Sequence, residues 1–100
     1  MKAKDLALIA TVITAAFGLM ILFGGNPVGS LLWLGYAWAG YFRLQGGETS
    51  KRICLSLSII MLFLHTAMLF SNYTDDRVVD VIAWSVLAFI DYKLIGQKVA

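Results

Sequence analysis

Cysteine occurs once in this sequence, at Cys54, histidine once, at His65, proline once, at Pro27, and glutamate once, at Glu48. A lone cysteine excludes an intrachain disulfide, a CxxC redox pair and a cysteine-built zinc site. With one histidine and no cysteine near it, a metal or haem centre would need ligands from a second subunit, so no metal and no cofactor is expected. Charge is scarce: 14% of residues are Asp, Glu, Lys or Arg, against 60% apolar. The net charge of +2 is split among separate segments, which leaves no basic patch to neutralise phosphates, and nucleic acid is not an expected partner. GxSxG, HExxH, P-loop and dinucleotide-binding patterns are all missing, so catalysis has no support and the expectation is a protein that is not an enzyme.

What the chain does have is long apolar runs. A soluble domain of 100 residues is too small to bury that much apolar surface in a core, and lipid is the better solvent. The basic residues fall in three places: Lys2 and Lys4 before the first run, Arg43, Lys51 and Arg52 around the middle connection, and Lys93 and Lys98 at the end; only Arg77 lies elsewhere, among Asp75, Asp76 and Asp80. By the positive-inside rule this charge pattern predicts an all-α integral membrane protein. The expected architecture is an antiparallel bundle of four transmembrane helices in the cell inner (cytoplasmic) membrane, with the N-terminus and C-terminus both cytoplasmic.

The first span is expected at about 6–23, eighteen residues without a charge, roughly 27 Å of helix and close to the hydrocarbon thickness. Gly24-Gly25-Asn26-Pro27 follows it, a turn signal and no cleavage site, so the segment reads as retained rather than as a signal peptide. Pro27 suits a first helical position, and a second span is expected at about 28–44, with Trp33, Tyr36, Trp38 and Tyr41 as amphipathic aromatics and Tyr41 beside Arg43 as an interfacial anchor. The polar Gln45–Arg52 stretch leads to a third span at about 53–71. The fourth, about 78–95, is the least obvious. Only ten uncharged residues separate Asp80 from Asp91, and a full span places each carboxylate about one turn inside a membrane surface. A surface-lying amphipathic helix is the alternative.

Packing in lipid relies on small residues and polar cross-contacts. Ala7, Thr11, Thr14 and Gly18 form a small-residue seam on the first helix, and Gly35 with Ala39 offers a matching pair on the second. Inside the spans, His65, Asp80 and Asp91 are the candidate functional polar residues. His65 and Asp80 are at similar depth on neighbouring helices and can pair, either as a clamp or as a proton-sensitive couple. Asp80 and Asp91 are eleven residues apart, within about 20° of one helical face, with Trp84 and Leu87 between them; each carboxylate is expected to reach toward water at its own surface. Met61 and Met68, one turn either side of His65, read as adaptable packing.

Two functional classes follow. The first is a small non-enzymatic membrane protein that contacts lipid and acts by helix–helix association with a membrane partner or with itself, as an accessory subunit or an immunity-type protein does. The second is a homo-oligomeric transporter or channel whose polar path is built from His65, Asp80 and Asp91.

Overall fold

The computed structural model describes residues 2–99. They form four helices and, among the described residues, no strand: α1 (Ala3–Phe23), α2 (Pro27–Leu44), α3 (Glu48–Ser71) and α4 (Asp75–Leu94). Three helices start earlier than the apolar runs suggest, because a polar first turn is helical too. Glu48 opens α3, and Asp75 and Asp76 open α4, where carboxylates meet the positive end of the helix dipole.

Each connection is three residues long, so consecutive helices turn back on one another. At the first turn the Asn26 amide donates to Ile21 O and the Gly25 amide to Leu22 O, both at 3.1 Å; at the second, the Gly47 amide donates to Phe42 O and the Gly46 amide to Arg43 O. These paired bonds need one left-handed residue, supplied by Gly25 (φ +91°) and Gly46 (φ +90°). Asn26 then caps α2 by accepting from the Gly29 amide at 3.0 Å, with Pro27 in the first turn. The third turn is closed by a side chain: Arg77 Nη1 donates to Asn72 O at 2.5 Å and to Met68 O at 2.9 Å, the latter a carbonyl that also accepts the Asn72 amide at 2.9 Å.

Around the bundle, α1 and α3 each pack against both α2 and α4. The α1–α2 contact is the close one. A Cβ built at Gly18 would lie 2.7 Å from the Leu34 side chain and 3.2 Å from the Leu34 amide nitrogen, and one at Gly40 would lie 2.5 Å from Thr11 Oγ1. The seam on α1 runs through Ala7, Ala10, Thr14 and Gly18, all buried, with Thr11 half-buried beside it. On α2 the expected pair needs correction. Gly35 is exposed, with nothing within 4 Å of its Cβ position, and Gly40 is the small residue that meets α1; Ala39 is half-buried against the core. The register puts Gly40, five residues after Gly35 and so about 140° around the helix, on the inner face. Nor do the seam hydroxyls bond across the interface: Thr11 donates to Ala7 O and Thr14 to Ala10 O, satisfied within their own helix.

Because α1 and α3 turn small or slender residues inward (Ala10, Thr14, Cys54, Ser58), the large side chains of α2 and α4 meet across the diagonal of the bundle. The Trp33 and Trp84 ring centroids are 4.4 Å apart, with Phe17 against Trp33 at 5.1 Å and Tyr36 edge-on to Trp84 at 5.7 Å. The surface is correspondingly apolar on every helix: Leu8, Val12 and Met20 on α1, Leu31 and Trp38 on α2, Ile60 and Phe63 on α3, and Val79, Ile82, Val86 and Phe89 on α4 are exposed. Helices α1 and α3 are long and apolar enough to cross a membrane.

Candidate functional site: two polar clusters separated by an aromatic layer

Helices α2 and α4 run parallel, and they carry inward stripes of identical spacing: Trp33, Tyr36, Gly40 and Arg43 on one, Trp84, Leu87, Asp91 and Leu94 on the other. Steps of 3, 4 and 3 keep each set on one helical face, so the tryptophans meet at one level and the charged residues below them. Arg43 Nη1 and Asp91 Oδ1 are 2.5 Å apart, and both side chains are 0% exposed. The Tyr36 hydroxyl donates to the same oxygen, also at 2.5 Å, and the guanidinium lies 5.7 Å from the Tyr36 ring centre. Arg43 Nε and Nη2, Asp91 Oδ2 and Trp84 Nε1 have no hydrogen-bond partner among the described residues.

This cluster corrects two expectations. Asp91 does not reach toward water, and Arg43 is inside the bundle rather than at an interfacial anchor; each supplies the countercharge that lets the other be buried. The signal was available in the spacing, since Arg43 continues the face of Trp33 and Tyr36 at i+10 and i+7. Lys51 is likewise inside the first turn of α3. It is 3% exposed, bonds Glu48 Oε1 at 2.9 Å, and donates to the Gln97 carbonyl. That contact holds the segment after α4, which turns at Gly96 (φ +82°) and seats Val99 against Ala7 and Leu94.

The second cluster lies at the opposite end, beside the turns. His65 Nε2 is 3.8 Å from Asp80 Oδ2, with side-chain exposures of 12% and 32%. His65 Nδ1 is 2.7 Å from Met61 O, and since a carbonyl only accepts, Nδ1 carries the proton. The two residues line a cavity of about 600 Å³. Its walls are apolar, with Phe17, Ile21, Leu64 and Met68; Trp33 forms part of it, and Asp76 and Arg77 stand with Asp80 on its α4 side. Of the three candidate residues, then, the structure brings His65 and Asp80 together and places Asp91 beyond Trp84. Met61 packs in the core and Met68 lines the cavity. Among the described residues no group of three or more His, Cys, Asp or Glu side chains converges as a metal centre would require. Comparison of the chain with protein families, with curated proteins and with solved structures gave no match.

Proposed function

We propose that the chain is a four-span, multi-pass protein of the cell inner membrane with both ends cytoplasmic, and that it acts without catalysis by helix–helix association with a membrane partner. The observation that carries the reading is the inverted polarity of the bundle. Charged Arg43, Asp91 and Lys51 are buried while the outward faces of all four helices are apolar, which suits hydrocarbon as the surrounding solvent. The point bears most on α4: its carboxylates make it too polar by composition, yet Asp91 faces inward, Asp80 faces His65, and Val79, Ile82, Val86 and Phe89 are left outside.

The surface suited to a partner is a shallow apolar groove of about 510 Å³ between α1 and α2, with Ala15 and Ala37 at its small positions and Trp38, Tyr41 and Phe42 among its larger ones. Small residues let a foreign helix backbone approach. Ala15→Trp fills this groove. It is expected to abolish co-purification of a stoichiometric membrane partner, whereas Ile60→Trp on the exposed face of α3 leaves it intact; equal co-purification by both variants would sink the groove assignment.

The vestibule holding His65 and Asp80 favours the second reading, a transporter or channel. Against a path through a single bundle stands the Trp33–Trp84 contact, which separates the vestibule from Asp91. Ion flux in liposomes holding only this protein, lost in Asp80→Asn, would favour transport over association.

A further inference from the structure

We infer that the vestibule beside the turns is a binding site for a primary ammonium group carried on a short apolar tail. With Nδ1 of His65 committed to the Met61 carbonyl, Nε2 of the neutral ring presents a lone pair. It faces the Asp80 carboxylate at 3.8 Å, so two acceptors converge where one N–H donor can reach both. The separation is too long for a proton shared directly by the pair, whereas an N–H donor from outside can bridge the two atoms.

The charges around the cavity fix the sign of such a donor. Asp76, Arg77 and Asp80 are on α4, and His65 is on α3; the lining residues of α1 and α2 carry no charge. Two carboxylates and one guanidinium leave one net negative charge when His65 is neutral, which matches a monocation. Arg77 is itself engaged with the Met68 and Asn72 carbonyls, so it does not occupy the acceptor pair. A metal ion is a poor fit, because no third ligand converges among the described residues. Apart from Asn26 and Thr74, the rest of the lining is apolar and aromatic, with Phe17, Trp33, Leu64 and Met68, and a cavity of about 600 Å³ is within the range that takes small organic ligands. An ammonium with a short aromatic or alkyl tail satisfies both halves of the site, its N–H groups on Nε2 and Asp80 and its tail against the apolar wall.

The same ammonium chemistry is found in free amines and in ethanolamine lipid headgroups, and the experiment separates them. Full-length protein in phosphatidylcholine nanodiscs is titrated with 2-phenylethylammonium and, separately, with neutral 2-phenylethanol, by calorimetry and by tryptophan fluorescence. The expected result is saturable binding of the amine, at least about tenfold tighter than the alcohol, weakened about tenfold or more in Asp80→Asn, as loss of a charge-assisted hydrogen bond implies, and unchanged in the exposed Asp75→Asn. Amine affinity that falls in discs containing phosphatidylethanolamine identifies the headgroup as the resident ligand; undiminished affinity identifies a free amine. Equal affinity for amine and alcohol, or no saturable amine binding in correctly folded wild-type protein, overturns the assignment without reference to any variant.

Discussion

Replacing Asp91 by asparagine is the sharpest test of how this interior is held. The substitution keeps the shape and removes the charge, leaving the Arg43 guanidinium buried with Nε and Nη2 already unpartnered. Breaking one side of a buried pair costs about 3–5 kcal/mol, and Arg43→Met, which strands the carboxylate and its Tyr36 donor, is expected to cost a similar amount. The double variant Arg43→Met/Asp91→Leu removes both charges and fills the space with apolar groups; such replacements are commonly neutral or stabilising, so its loss is expected to stay under about 2 kcal/mol. The two single losses then exceed the double by at least about 4 kcal/mol. Adding Tyr36→Phe removes the hydroxyl that the double leaves without its acceptor, and is expected to recover stability further. The assay is reversible unfolding in mixed micelles by graded replacement of mild detergent with dodecyl sulfate, followed by far-ultraviolet circular dichroism and tryptophan emission. If Asp91→Asn unfolds at the wild-type midpoint, or if the double variant loses the sum of the singles, the buried pair is not the structural element described.

Three further outcomes are expected. Gly40→Ala pushes a methyl to within 2.5 Å of Thr11 Oγ1 and should destabilise by about 1–3 kcal/mol, while Thr11→Ala in the same chain should restore most of the loss and Gly35→Ala should cost nothing by the same unfolding assay. Cys54 is fully buried, so maleimide should fail to label it in the folded protein and should label it after denaturation. Lys51→Met frees the Gln97 carbonyl and should speed trypsin cleavage at Lys98, read by mass spectrometry, without changing cleavage at Lys2 or Lys4.

The helices and their turns were legible in the sequence because hydrophobic length and turn chemistry are local properties. Gly24-Gly25-Asn26-Pro27 marks a stop and a start within four residues, and the structure uses Gly25, Asn26 and Pro27 in those roles. The depth match of His65 and Asp80 was also readable, because antiparallel neighbours joined by a short turn have a fixed register. The burial of Arg43 and Lys51 was not legible, for a physical reason. Charge beside a loop predicts exposure only where no partner waits inside, and Asp91 and the Gln97 carbonyl are distant in sequence. The α2 seam was misplaced for a related one: small residues occur on both faces of α2, and only the position of α1 decides that Gly40 rather than Gly35 is the contact.

Asp80 and Asp91 share one helical face, so the remaining question is whether they belong to one polar system or two. Eleven residues of helix separate them by about 16 Å, and between them Trp84 packs against Trp33 from the diagonal helix while Tyr36 closes against its edge. The Trp84 indole N–H has no acceptor among the described residues, so no hydrogen bond from it carries the network of Asp91 up to the vestibule. Trp84 does touch both clusters, 6.3 Å from the His65 ring and 5.7 Å from the Tyr36 ring, but they share no hydrogen-bond partner among the described residues and at that distance should respond independently. The stability changes of Asp80→Asn and Asp91→Asn are therefore expected to add within about 0.5 kcal/mol in the double variant. Amine affinity at the vestibule should be the same in Asp91→Asn as in the wild type, measured where both are folded. A coupling above about 1 kcal/mol, or an Asp91→Asn change in amine affinity, would mean that the aromatic layer transmits rather than separates, and would move the balance toward a continuous path through the bundle.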